Sequence, residues 1–392
     1  MAREQRIEKI KEIQVKRNSK IVTLVTSDRI NLSAPIHQMM NDVLYEQLRR
    51  IKANGNVFEN IELFIFSRGG DSDAPWSIVS TIREVFPDKK FNVLIPFRAH
   101  SAATIISLGA DEIVMTEKAE LGPIDITISN SPLNPPHPVN KAPIDISVED
   151  VMGFIGLLEK LDCNRAEEKI KSFEILSQHI NPLAIGKVNR LLEQTKLVAD
   201  RMLSNRKNKL SREQNDDIVK KLSSEIYSHR HSILRTEARQ LGITYVKNAE
   251  DCDIDAELWE LYEDYAAELE LKDPFNPEKH LIDNNIDNHK WENLKKALIE
   301  SEYESYEQVC DIEAKRLRQI TQPININPQI SMPQVPAGLN EQQIQAFLQN
   351  WLNQNLALLL QNATKVAIEA FLKTQPSGQI ELKITDKLWK KI

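Results

Sequence analysis

The chain has 392 residues, 41% of them hydrophobic and 27% charged, with a formal net charge of −7. Such values describe an ordinary globular protein, long enough for two or three domains and a substantial core, and the acidic balance argues against a nucleic-acid partner. Three cysteines, Cys163, Cys252 and Cys310, stand far apart without metal-ligand spacing, which excludes a disulfide framework and a cysteine-based metal site and indicates a reducing compartment.

Residues 1–19 are rich in Arg, Glu and Lys, with Ile7, Ile10 and Ile13 three apart, and read as a charged, weakly helical N-terminal arm. They lack the apolar core of a signal peptide. No run in the chain reaches the roughly 18 apolar residues that span a bilayer, so a cytoplasmic protein without stable membrane insertion is expected. Residues 20–26 are rich in β-branched side chains and predict a first strand. Ile36, Met39, Met40, Val43, Leu44, Leu48 and Ile51 recur at three and four, predicting an amphipathic helix closed by Asn54 and Gly55. Residues 61–66 form a second strand, ending in Ser67-Arg68-Gly69-Gly70-Asp71, after which Pro75 opens another helix. The apolar run at 91–96 is a third strand, followed by a turn, a helix whose first turn carries Ser101, and a short strand at 112–115. Strands alternating with helices at this spacing predict βαβ crossovers and a largely parallel sheet, with sites at the carboxyl ends of the strands.

Beyond the Pro-rich loop at 129–143, helices are expected near 147–161, after Asn181-Pro182, and from Ser211 in a weak capping-box pattern. Residues 246–321 are acidic and read as mostly helical. Four prolines mark 322–337 as a linker. In 338–392 an apolar stripe over 344–360 reads as a packing or oligomerisation helix, and residues 379–384 alternate like a strand.

Ser101, at the start of a helix, is read most simply as an N-cap. The same position lies beside unpaired N–H groups and the positive end of the helix dipole, where a hydroxyl can attack a carbonyl while neighbouring amides hold the oxyanion. Gly69 and Gly70 directly after a strand can expose an N–H, and with the N–H of Ala102 would supply an oxyanion hole; a glycine pair also serves as a plain tight turn. Arg68, Asp71 and Asp73 around that turn would orient a substrate, bridge subunits or simply be solvated.

The stretches Ser67-Arg-Gly-Gly-Asp-Ser-Asp-Ala-Pro-Trp76, Ala99-His-Ser-Ala-Ala-Thr104, Leu108-Gly-Ala-Asp-Glu-Ile-Val-Met115, Glu120-Leu-Gly-Pro-Ile-Asp125, His179-Ile-Asn-Pro-Leu-Ala-Ile-Gly186 and Ser228-His-Arg-His231 onward through Gly242 occur in an order that resembles the serine dehydrogenase proteinase family. That family is related to ClpP and the signal-peptide peptidase SppA. The resemblance covers roughly residues 20–245 and implies a ClpP/crotonase-like α/β fold of repeated ββα units with a largely parallel sheet, followed by a mostly helical C-terminal extension. It implies a serine peptidase that cleaves peptide or protein substrates through an acyl-enzyme, needs no cofactor or metal, and assembles as a homo-oligomer.

Serine needs a base to become nucleophilic. Where ClpP would carry its histidine, this chain has Gly122-Pro123-Ile124. Three substitutes stand open. Lys141, in the Pro-rich loop, lies much where related ClpP-like peptidases keep a catalytic lysine, and would form a Ser–Lys dyad if desolvated. His229 and His231 flank the position of the third triad member. His100 adjoins Ser101 but, as a sequence neighbour, leaves the turn in another direction. The competing reading is a catalytically decayed crotonase-fold scaffold; an acyl-CoA-processing relative ranks last because no residue identifies a CoA pocket.

Overall fold

The computed structural model describes every residue except 1–2, 56, 125–126, 129–130, 138–140, 163–164, 227, 229–230, 319–332 and 375–376. Contacts divide the chain into two compact units, Met1–Phe275 with Asn293–Cys310 and Asp386–Ile392, and Asn276–Glu292 with Asp311–Thr385.

In the first unit, α1 (Arg3–Arg17) leads into β1 (Ser19–Thr26), a small ribbon of β2 (Asp28–Arg29) and β3 (Leu32–Ser33), and α2 (Met40–Ala53). There follow β4 (Asn60–Phe66), α3 (Ala74–Val85), β5 (Lys90–Ile95), β6 (Arg98–Ala99), α4 (Ala102–Leu108), β7 (Glu112–Met115) and β8 (Glu120–Leu121). A second ribbon pairs β9 (Thr127–Ile128) with β10 (Ile146–Ser147), and α5 (Val148–Lys160), α6 (Ala166–His179), α7 (Pro182–Ser204) and α8 (Arg212–Lys220) follow. The chain returns through β11 (Ile233–Leu234), α9 (Arg235–Gln240), β12 (Val246–Asn248) and α10 (Asp255–Glu268).

The central sheet runs in the order β12-β7-β5-β4-β1, all parallel, as the alternation of strands and helices predicts. Its strands alternate between two cores, as a pleated strand buried on both faces must. Leu24, Leu63, Ile65, Val93, Ile95, Ile113 and Met115 point to the side packed by α2, α3, α4, α7 and α8. Val25, Phe64, Phe66, Leu94 and Val114 point to the opposite side, where Ile10 and Ile13 of α1 meet Leu258, Leu261, Tyr262 and Tyr265 of α10. The N-terminal segment is therefore no arm: Ile10 and Ile13 are fully buried, and Arg6 is held in the interior by Glu300 at 2.9 Å.

The mostly helical reading of 246–321 is corrected in its second half. After α11 (Pro277–Asp283), residues 288–318 form two strands, β13 (Asn288–Ser301) and β14 (Ser305–Arg318), and β13 adds antiparallel to β1 with Val22 opposite Ser301. Lys295, Lys296 and Glu300 disguise the strand as helical, but Ala297 and Ile299 face one core and Leu298 the other, so pairing with β1 overrides local propensity. β16 (Lys390–Lys391) pairs with the start of β14. In the second unit, α12 (Glu341–Thr374) extends the expected helix to 34 residues and is followed by the expected strand, β15 (Ser377–Asp386). The helices α10, α11 and α12 still make up more of the C-terminal extension than its strands do. Among the described residues no helix is long and apolar enough to cross a membrane.

Candidate active site

Two turns at the carboxyl ends of the adjacent parallel strands β4 and β5 build the site. They are tied by backbone bonds: Ser67 N–H donates to the Arg98 carbonyl and His100 N–H to the Ser67 carbonyl, each at 3.0 Å. The buried Ser67 hydroxyl accepts from Thr26 Oγ1 at 2.8 Å and from Gly69 N–H at 3.0 Å. Gly69, at φ 102°, presses against the Ser101 turn, and a Cβ there would lie 2.7 Å from Ser101 Cβ and 2.8 Å from the His100 carbonyl oxygen. Gly70 is packed on the segment before α2: a Cβ would fall 2.1 Å from the Ile36 carbonyl oxygen, which accepts the Asp71 N–H at 2.8 Å. Only glycine fits either position.

Ser101 occupies the N-cap position of α4 but makes no capping hydrogen bond, so the simplest reading of the sequence does not hold. Its backbone sits at φ 48° and ψ −113°, a region that disfavours any residue with a Cβ. Retaining serine there costs of order 1–3 kcal/mol, and such strain collects where function requires it. Thr104, one turn on, fixes the helix: its buried hydroxyl donates toward the carbonyls of Ala99 at 2.7 Å and Gly122 at 2.9 Å and accepts Gly122 N–H at 3.1 Å.

Ser101 lines a cavity of about 500 Å³ with Gln38, Arg68, Gly70, Asp71, Ala102 and residues of α7. Among the described residues the N–H groups of Gly70 and Ala102 have no hydrogen-bond partner, and both line this cavity. The N–H of Gly69 is committed to Ser67, so of the three expected oxyanion donors Gly69 serves as a spacer. From α7 come Lys187, Leu191 and Thr195, at i, i+4 and i+8 on one helix face. Thr195 is 1% exposed and its hydroxyl is unpartnered among the described residues. Asn181 caps this helix by accepting Leu183 N–H at 2.9 Å, as its sequence predicts.

Two of the expected bases, Lys141 and His231, are absent from this lining. Lys141 is exposed, with φ 59°, and does not line the cavity. His231 is exposed, with Nε2 2.8 Å from Glu237 Oε1, and is likewise absent from the cavity lining. His229 and Asp125 fall outside the described residues. His100 stacks on Gly122 and places Nε2 3.1 Å from Glu120 Oε1. Behind the two turns runs a chain of charges, Arg68 to Asp28 at 3.1 Å, Asp28 to Arg98 at 2.7 Å and Arg98 to Glu120 at 3.0 Å. Burial pushes the Glu120 carboxyl up, but hydrogen bonds from His100 and Ser232, the charge of His100 and the Arg98 guanidinium outweigh it and bring the group down to about 2.

The α7 face is what the sequence reading missed. Its spacing was visible, yet the apolar residues Ile185, Val188, Leu191 and Leu192 account for the helix as core, and nothing local says which sheet edge the polar residues between them will meet.

Two uncharacterised proteins of Methanocaldococcus jannaschii are similar to this chain, one 23% identical over 262 residues (66% of this chain, 78% of the relative) and one 24% identical over 270 residues (68% and 78%). Among solved structures, a serine variant of a 1510-N membrane-bound stomatin-specific protease aligns at TM-score 0.35 and 16% identity, covering 58% of this chain and 78% of that one. A lysine variant of the same protease with a substrate peptide aligns at 0.34 and 16%, covering 58% and 74%. A ClpP of Listeria monocytogenes aligns at 0.31 and 15%, covering 62% and 97%. Over residues 1–146, which carry the glycine turn, Ser101 and the segment that Thr104 binds, the chain matches the family model of the ClpP-like SDH-type serine proteinases.

Proposed function

We propose that this protein is a serine peptidase in which Ser101 attacks the peptide carbonyl and the N–H groups of Gly70 and Ala102 hold the oxyanion. The observation that carries this reading is the backbone of Ser101, strained at φ 48° on a strand-to-helix turn and not engaged in capping, with two unpartnered N–H groups lining the same cavity. A plain helix cap would need no strain. Peptide or protein substrates, self-assembly and a cytoplasmic location belong to the same reading and rest on the family resemblance.

A fluorophosphonate probe tests it. Wild type is expected to form one covalent adduct, mapped to the peptide containing Ser101, and Ser101→Ala to form none. Folded wild type that takes no label overturns the reading in favour of a non-hydrolytic scaffold, the alternative favoured by the absence of Lys141 and His231 from the cavity lining.

A further inference from the structure

We propose that α12 is a self-association element, pairing through a coiled-coil seam with α12 of a second copy of this chain. The inference stands apart from the serine site and holds whatever the role of Ser101. α12 is 34 residues long, about 51 Å at 1.5 Å per residue, and none of its described side chains is buried. Yet residues 356–360 read Leu-Ala-Leu-Leu-Leu, apolar around a full turn, and a helix apolar all round belongs in an interior. Leu358 is 61% exposed and Val366 65% exposed. Within one chain these side chains stay open to solvent.

The seam has a heptad spacing. Leu352, Leu359 and Val366 recur every seven residues, and Leu348, Asn355 and Asn362 fall between them, so the six occupy the two core positions of successive heptads. Two features make the partner the same helix. Residues 342–364 carry no charged side chain, in a chain that is 27% charged. Charges beside a seam select a different partner, and basic residues on the polar face would suit a lipid surface. With neither, the helix meets its own copy without like-charge repulsion. The second feature is Asn355, half-buried within the seam. One of its N–H groups donates to the Trp351 carbonyl at 2.9 Å, which leaves a second N–H and the side-chain carbonyl for a partner. A side-chain amide is donor and acceptor at once, so Asn355 can pair with its counterpart in the other copy, and one polar pair in a seam fixes register.

The test uses the full chain. Leu359→Cys, in the seam, is expected on mild oxidation to give a disulfide-linked peptide joining residue 359 of two chains. Gln361→Cys, on the polar side, is expected to give none, since a disulfide needs Cα atoms within about 7 Å. Mapping the linked peptides by mass spectrometry sets aside links through Cys163, Cys252 and Cys310. Sedimentation equilibrium reads the same contact without a new bond. Leu352→Asp is expected to weaken association of the chains at least about 100-fold, because it buries an unpaired carboxylate in the seam. Should that variant fail to fold, the cysteine pair still decides. Linking at 361 as readily as at 359 overturns the seam. Assembly without any link at 359 also overturns it and places the contact between copies elsewhere in the chain. Wild type that stays monomeric throughout the concentration series overturns self-association, and its binding to phosphatidylcholine vesicles would then assign the surface to lipid. Neither readout depends on Ser101 being a nucleophile.

Discussion

Gly69 and Ser101 touch across the ends of β4 and β5: no side-chain atom fits between them, since a Cβ on Gly69 would lie 2.7 Å from that of Ser101. The contact packs two short motifs, 32 residues apart in the chain from Gly69 to Ser101, into one unit. Replacing Gly69 by alanine imposes a Cβ at φ 102° and forces either the Ser101 turn or the His100 carbonyl to move. Gly69→Ala is expected to lose roughly 2–4 kcal/mol in denaturant unfolding, from left-handed strain plus overpacking, together with fluorophosphonate labelling. A variant with wild-type stability and labelling rate would mean that the turn yields freely.

Ser101 itself can be separated from a cap by stability alone. Serine that caps a helix costs about 1 kcal/mol when replaced by alanine. Because Ser101 makes no capping bond, Ser101→Ala should unfold within about 0.5 kcal/mol of wild type. Ser101→Gly, which relieves the positive φ, should be more stable by about 1 kcal/mol. Calorimetry of the two variants decides the point, and destabilisation of both by a kilocalorie or more would restore the capping role.

Most of the fold was legible because each strand carries its own signature. The β-branched run of β1, the apolar run of β5 and the glycine stop after β4 mark the parallel sheet directly, and the Asn181 and Ser211 caps mark two helix starts that the structure bears out. What was not legible depends on pairing across distance. β13 carries lysines and glutamates that favour helix locally, and only its register against Val22 to Thr26 makes it a strand. α1 looks solvated because Ile10 and Ile13 are too few to show which core they enter, and that core includes α10, some 240 residues later. The same limit applies to the cavity: the serine and glycines are adjacent to their strands, whereas Lys187, Leu191 and Thr195 line it from a long helix far along the chain.

Thr104 links the helix that begins after Ser101 to the segment Gly122-Pro123-Ile124. Its hydroxyl is fully buried and bonded to the Ala99 and Gly122 carbonyls and to Gly122 N–H. Thr104→Val keeps the shape but leaves Gly122 N–H buried without its partner. The expected cost is about 1–3 kcal/mol. Because Gly122 also supports the His100 ring, labelling should fall as well, whereas Thr104→Ser, which keeps the hydroxyl, should retain both stability and most of the rate. A valine variant as stable as wild type would show that the 122 segment finds another donor.

The Glu120 carboxylate makes the acid limb of stability testable. Its folded value of about 2 lies below the ordinary 4.5, held there by His100, Ser232 and Arg98 against the opposing effect of burial. A group depressed in this way binds its proton more readily in the unfolded chain, so its stabilising contribution is complete above about pH 5 and is lost as pH falls from there toward 2. Discounted for screening and for the cost of burying the carboxylate, the contribution at neutral pH is about 1–2 kcal/mol. Glu120→Gln should therefore be less stable than wild type by that amount at neutral pH, and the gap should narrow steadily on acidification. Urea unfolding of both proteins at a series of pH values measures it. A gap that stays constant down to about pH 3 would assign the loss to packing around Arg98 and His100 rather than to the charge.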